Sequence, residues 1–437
     1  MNILKYIDHF KKRDFLKNIS IVISGSVLAQ SIGLLLTPAV SRLFTKSDFG
    51  IFGSFTSLVS IISSGVTLRY SDAVMLPKKD EDAVNVLCLS VISTLLISSL
   101  GIVIAYIFPG WVLGRFESPQ SRWLLWCLPL GIFITGLNFS FQGWCIRRKS
   151  FKRTASSNII QTGTSNFLQI LTGIFKYGSS GLIVSFVLAS GANNLNLGYQ
   201  IVKDKSLIKK SLNWQKVREL AIEYRDFPIY ATPDNVLNGL SQGLPILLLV
   251  YFYDAAIAGA YAFGIRILRA SMNLVHIALR QVLYQKASEV FNAGGRLLPI
   301  YIKLTGGLFV LSFIPGLLLF VFGPQFFSWL FGREWYLAGV YARWIIFWMV
   351  PMFCNVPSVL IARILRKQRN LLIFSVITLV LRAGSLIFGG YCLSSLNTII
   401  LFSVIGAILN IFLIVCVGLM LVRRDRVNPE DLVDEHR

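Results

Sequence analysis

The chain has 437 residues, of which 54% are hydrophobic and 14% charged, where soluble domains carry roughly 25% charged residues. Lys and Arg number 42 against 21 Asp and Glu, a formal charge of +21. Such apolar content excludes an ordinary soluble domain. Recurring apolar stretches of about 20 residues, the length a helix needs to cross the hydrocarbon core, exclude a barrel of short alternating strands. The composition predicts an all-α, multi-pass integral membrane protein. The basic excess is assigned to cytoplasmic loops rather than to nucleic acid. Six cysteines stand in or beside apolar runs with no C-x-x-C pair, and three histidines have no metal-ligand spacing. Neither a metal, a cofactor nor a phosphate-binding loop is expected.

In chain order, "KKRDFLKNISIVISGSVLAQS" has the basic flank and small-residue end of a signal peptide. The apolar run continues to about Val40, so it is read as a retained first span. Apolar runs place twelve spans near 18–40, 48–70, 84–107, 122–144, 155–175, 180–202, 229–252, 256–280, 303–323, 340–363, 371–391 and 397–422. Basic clusters fall in every second loop, from Lys11, Lys12 and Arg13 through "RRKSFKR" at 147–153 and "RILRKQR" at 363–369 to Arg423, Arg424 and Arg426. That alternation predicts an even span count with both termini cytoplasmic.

The halves echo each other. "FGIFGSF" at 49–55 parallels "AGAYAFG" at 258–264, and "CIRRKSFKR" at 145–153 parallels "RILRKQRN" at 363–370. Two six-helix bundles follow, related by a pseudo-two-fold axis along the membrane normal, with a solute route expected where they meet. The boundaries are 1–202 for the first bundle, 203–227 for a basic cytoplasmic linker, 228–422 for the second bundle and 423–437 for a charged tail. A helix lying on the membrane surface is expected within the linker.

Charges inside spans are costly and mark function by default, at roughly 2.5–3.5 kcal/mol on insertion scales. The second span ends on Arg69 and Asp72, three apart, readable as an ion pair locking a helix end or as the mouth of a polar route. The fifth carries Asn158, Thr162, Ser165, Gln169 and Thr172 on one face, to bind helices together or to line a cavity. The seventh presents Asp234, Asn235, Asn238, Ser241 and Gln242. The eighth is the strongest: Arg266, Arg269, Asn273, His276 and Arg280 fall on one narrow face, with no acid in their own span. Arg280 is also readable as snorkelling to the surface. Arg382 sits near the centre of the eleventh. Interior acids are scarce: Asp72, Asp234 and Asp254 are the candidates. This positive bias argues for an anionic solute, because a guanidinium can donate two parallel hydrogen bonds to a phosphate.

At "SRLFTKSDFGIFGSFTSLVSII" followed by "LRYSDAVMLPK", the sequence resembles the polysaccharide-exporter branch of the MOP flippase superfamily, and more narrowly the bacterial O-antigen and lipid-linked oligosaccharide flippases. The resemblance runs over essentially the whole chain. It implies a V-shaped pair of six-helix bundles around a cationic central cavity, and a cargo of sugars on undecaprenyl pyrophosphate. By position it supports Arg42, Arg69, Arg266 and Arg269 as cavity residues.

The combined expectation is a flippase of the bacterial inner membrane, not an enzyme, working by alternating access on an O-antigen or capsule repeat unit. Its partners would be the polyprenyl-linked oligosaccharide and the bilayer, with a polysaccharide polymerase and chain-length proteins alongside, and no nucleic acid. Substrate-binding candidates are Arg69, Arg266, Arg269, Asn273, His276, Asp234, Asn238, Gln242 and Arg42. Ion-coupling candidates are Asp72 and Asp234, and no catalytic residue is assigned. The alternatives are a cation-coupled multidrug antiporter of related fold, a flippase for another polyprenyl-linked cargo such as a peptidoglycan precursor, and a polymerase, ligase or lipid-dependent glycosyltransferase. The last would need acids or a sizeable external loop.

Overall fold

A computed structural model describes residues 24–107, 124–292, 297–365 and 367–426. Every regular element among them is helical. Among the described residues seven stretches are long and apolar enough to cross a membrane: Ser24–Ser41, Asp80–Val103, Phe227–Phe252, Leu298–Phe331, Arg333–Ala362, Arg369–Cys392 and Ser395–Asp425. The other five expected spans also coincide with long helices, Lys46–Ser63, Leu124–Arg147, Phe151–Ile174, Gly178–Lys203 and Ala255–Asn292. Polar side chains in the third and arginines in the last dilute their apolar character. All six cysteines are free.

The chain divides into two compact units, Met1–Tyr251 and Phe252–Arg437. By contacts the seventh span is counted with the first unit. Packing explains this. Gly239 and Gly243 bring the seventh span onto the second, where an added Cβ would stand 2.8 Å from Ser64 Oγ and from Ile61 Cδ1.

The first unit contains α1 (Ser24–Ser41), α2 (Lys46–Ser63), α3 (Tyr70–Ala73), α4 (Asp80–Ile107), α5 (Leu124–Arg147), α6 (Phe151–Ile174), α7 (Gly178–Lys203), α8 (Lys205–Ser211), α9 (Trp214–Glu223) and α10 (Thr232–Phe252). A capping box starts α2: the Asp48 amide donates to Thr45 Oγ1, and the Asp48 carboxylate accepts from the Thr45 amide. Asp80, Glu81 and Asp82 fill the first turn of α4, where the helix dipole favours acids. Small residues then allow close crossings. A Cβ on Gly143 of α5 would lie 2.4 Å from the Ser71 carbonyl oxygen, and one on Gly25 of α1 would lie 2.5 Å from Ala155 Cβ.

One face of this unit is tied by charge. Asp80 pairs with Arg147 at 2.9 Å and Arg148 at 2.7 Å, and Arg148 reaches Asp204 at 3.2 Å. Asp204 also accepts from Trp144 Nε1 and Gln200 Nε2, both at 3.0 Å. The basic "RRKSFKR" loop therefore spends its first two arginines joining α4, α5 and α7. The linker does form helices. Its α9 buries Val217 and Leu220, and Leu220 joins a core with Val84, Leu87 and Trp144. Asn85 donates to the Ser211 carbonyl and accepts from the Asn213 amide.

The second unit contains α11 (Ala255–Asn292), α12 (Leu298–Phe331), α13 (Tyr336–Cys354), α14 (Val356–Ile364), α15 (Gln368–Cys392) and α16 (Ser395–Arg426). An aromatic core locks one end of α11: Phe263 lies against Trp335 at 3.9 Å between ring centroids and edge-on to Phe331 at 5.0 Å. Gly339 of α13 crosses Gly323 of α12 so closely that an added Cβ would stand 2.5 Å from the Gly323 carbonyl oxygen. Much of α12 carries exposed apolar groups, including Phe309, Val310, Ile314 and Leu318, as a lipid-facing helix requires.

The α3–α5 crossing yields a test. Gly143→Leu should cost about 1–3 kcal/mol through overpacking and lower the thermal unfolding midpoint in detergent. Gly163→Ala, where nothing stands within 4 Å of the added Cβ, should leave the midpoint unchanged or raise it.

Candidate functional site

Helices α2, α5, α6, α7 and α10 of the first unit surround a cavity of about 550 Å³. Its wall is built from amides and hydroxyls: Ser60, Ser63 and Ser64 from α2 and its end, Thr135 and Asn138 from α5, Gln161 from α6, Ser190 from α7, and Asn235, Asn238 and Gln242 from α10. Phe139 and Phe186 add two aromatic faces, and no charged side chain lines it. The wall is ordered by its own hydrogen bonds. Asn138 Nδ2 donates to Asn194 Oδ1 at 3.2 Å, and Asn193 Nδ2 to Gln161 Oε1 at 2.9 Å. Gln161 Nε2 reaches Ser190 Oγ at 3.4 Å, and Asn235 Nδ2 donates to the Ser64 carbonyl at 2.6 Å.

A smaller pocket of about 120 Å³ adjoins it, sharing Ser64, Phe139 and Asn235 and lined also by Arg69, Asp72 and Gln142. Here the sequence reading needs correcting. The helix expected over 48–70 stops at Ser63. The chain then turns, and Leu68 and Arg69 adopt left-handed backbone conformations with φ of 47° and 59°. Two successive non-glycine residues in that region cost roughly 1–2 kcal/mol each, and such strain gathers where geometry matters. Arg69 and Asp72 do meet, at 2.7 Å, across the start of α3 rather than along a continuous helix. The fork of Arg69 is thereby engaged at one end, while its buried Nε has no hydrogen-bond partner. Tyr70 fixes the turn by donating its hydroxyl to the Ala221 carbonyl at 3.3 Å, and Arg147 donates to the Val74 carbonyl at 2.9 Å.

In the second unit α11 runs unbroken through Arg266, Arg269, Asn273, His276 and Arg280, so all five share one face of one helix. Arg266 and Arg269 are half-buried and Asn273 is exposed; the side chains of His276 and Arg280 lie outside the described residues. Arg382 of α15 joins this group. Its guanidinium lies 4.2 Å from the Trp348 ring centroid and 4.1 Å from that of Phe402, a cation held between two aromatic faces. Arg269 and Tyr261 are both within its electrostatic reach. Arg382 Nε is buried without a hydrogen-bond partner. Among the described residues no acid forms an ion pair with Arg266 or Arg382.

The remaining candidates separate. Asn238 and Gln242 line the first-unit cavity. Asp234 is exposed beside it, its backbone carbonyl accepting from Asn238 Nδ2 at 3.0 Å. Arg42 is exposed at the end of α1. The polar face of the fifth span divides in use. Asn158 donates to Ser26 Oγ on α1 and Thr172 sits 3.5 Å from Ser185 Oγ on α7, both contacts between helices, while Gln169 donates to Ser165 within α6 itself. Gln161 alone of α6 reaches the cavity wall. Gln161, Ser190, Asn138 and Phe186 escaped the sequence reading; the polar spacing of Asn138 and Gln142, and of Ser190 and Asn194, was the available signal. Among the described residues no group of three His, Cys, Asp or Glu could hold a metal ion.

Among curated proteins none matches the chain by sequence. Among solved structures the chain is similar to an inward-facing multidrug resistance MATE family transporter of the MOP superfamily, with 13% identity, a TM-score of 0.74, and 91% of this chain and 96% of that one covered. It is similar to the lipid II flippase MurJ, at 13% identity and a TM-score of 0.72, over 92% of this chain and 90% of that one. A Vibrio cholerae MATE transporter matches at 14% identity and a TM-score of 0.56, over 94% and 97%. At these identities the likeness shows a shared fold. The profile of the family described as "Polysaccharide biosynthesis protein" matches residues 39–338. The chain therefore belongs to this polysaccharide biosynthesis protein family, a multi-pass membrane protein with the fold of the MOP-superfamily transporters.

Proposed function

We propose that the protein flips an undecaprenyl-pyrophosphate-linked oligosaccharide, an O-antigen or capsule repeat unit, across the bacterial inner membrane by alternating access. The observation that carries this reading is the arginine group of the second unit. Arg266 and Arg382 sit within an apolar helix bundle without an acid partner among the described residues, and Arg382 leaves its buried Nε unbonded. Positive charge placed there at such cost suits a ligand that brings negative charge, and a pyrophosphate does so while offering several acceptor oxygens.

Other features support it. A lipid-linked cargo accords with the polysaccharide biosynthesis family, and MurJ, of similar fold, is a lipid II flippase. The alternating basic loops favour two cytoplasmic termini. The six-plus-six organisation, with the linker at 203–227 and the tail at 423–437, belongs to the same proposal. So do the twelve spans, and a polymerase and chain-length proteins as partners. A cation-coupled drug antiporter fits less well. It needs a protonatable carboxylate in its route, whereas Asp72 is engaged by Arg69 at 2.7 Å and the lining of the large cavity holds no acid.

Two measurements test the proposal. In a host lacking its own flippase, Arg266→Ala or Arg269→Glu should abolish surface polysaccharide while folded protein stays in the membrane; normal polysaccharide in both variants would overturn the assignment. Arg382→Met removes a charge and keeps apolar volume. Replacing a poorly compensated buried ion by an apolar group is often neutral or stabilising, by about 1–4 kcal/mol. Its unfolding midpoint should hold or rise while export is lost. A falling midpoint with export intact would assign Arg382 a purely structural role.

A further inference from the structure

We infer that the amide- and hydroxyl-walled cavity of the first unit is a separate subsite for an uncharged stretch of glycan, one that rejects acidic sugars. This rests on the proposed flippase reading and adds to it a ligand class and a selectivity.

At about 550 Å³ the cavity falls within the roughly 300–1,000 Å³ of small-molecule sites. Its chemistry narrows the ligand. An anion would call for Lys or Arg in the wall and a metal ion for carboxylates, and the lining offers neither. Gln161, Asn138, Asn238 and Ser190 each donate and accept, the capacity that a ring of hydroxyls uses in both directions. Phe139 and Phe186 present flat apolar faces, matching the C–H faces of a sugar ring.

The wall also holds hydrogen-bonding capacity that the protein leaves unused. Ser63 lines the cavity, is 2% exposed, and its Oγ has no partner. Asn193, behind the wall, orients Gln161 by donating its Nδ2 to Gln161 Oε1 at 2.9 Å. Side chains that served only to join helices would close on one another. Here they stand around open volume, and the Ser63 hydroxyl is left unsatisfied beside it, at a cost that a hydroxyl-bearing ligand removes.

Selectivity follows from the same wall. A uronate carboxylate entering it would lose its hydration with no counter-charge to receive it. The nearest cation on the adjoining pocket is Arg69, which Asp72 already neutralises at 2.7 Å. A neutral hexose or N-acetylated hexosamine meets no such barrier.

The test uses the full chain in nanodiscs and three probes: undecaprenyl pyrophosphate alone, the same carrier bearing a neutral trisaccharide, and that carrier with one hexose oxidised to a uronate. Affinities are compared by native mass spectrometry. The wild type should bind the neutral-glycan carrier at least tenfold more tightly than the bare carrier, and the uronate should erase that gain. Gln161→Ala combined with Asn238→Ala should bind bare and neutral-glycan carriers alike. Equal wild-type binding of bare and neutral-glycan carriers, or uronate binding as tight as neutral, would overturn the subsite; the wild-type comparison decides even if the double variant fails to fold. Wild-type protein that binds none of the three would remove the flippase reading, and the subsite with it.

Discussion

The organising constraint is the cost of a guanidinium in an apolar helix bundle. Arg266, Arg269 and Arg382 stand on long helices of the second unit, and no carboxylate pairs with Arg266 or Arg382 among the described residues. The protein holds Arg382 by other means: two aromatic rings, each about 4 Å from the cation, supply electron-rich faces in place of a counter-ion. That arrangement keeps the planar fork in position without cancelling its charge. A carboxylate would have anchored the side chain more firmly and left it less able to attract an anion.

The two units thus solve opposite problems. The second gathers arginines on its helices, with no acid paired to Arg266 or Arg382 among the described residues. The first consumes its charges at one end, where Asp80 and Asp204 bind Arg147 and Arg148, and leaves an interior of amides and hydroxyls. The link between these chemistries within the first unit is the Arg69 turn, whose paired charges border the uncharged cavity through Ser64, Phe139 and Asn235.

Much of this was legible in the sequence, and the limits have physical causes. Apolar run length is a local property, so the long helices were readable. A 3,4 spacing fixes a helix face, so the alignment of Arg266, Arg269 and Asn273 followed directly. The proximity of Arg69 and Asp72 followed from their separation of three. What a face meets is a tertiary matter. Periodicity put Asn158 and Thr172 together on α6, and packing assigned one to Ser26 and the other to the neighbourhood of Ser185. Gln161, three residues after Asn158 and four before Ser165, stands at the edge of that stripe and reached the cavity wall. The left-handed pair at Leu68 and Arg69 was hidden because neither is a glycine or an asparagine, the residues that usually announce such a turn. Asp234 had the type and position of a site residue, yet it is its backbone carbonyl that bonds Asn238.

Tyr70 follows the strained Arg69 directly and hangs from the carbonyl of Ala221 on the connector helix. That single phenol ties the turn carrying Arg69 to the α9 segment of the same unit, so the charged lip of the polar interior is anchored outside the helices that wall it.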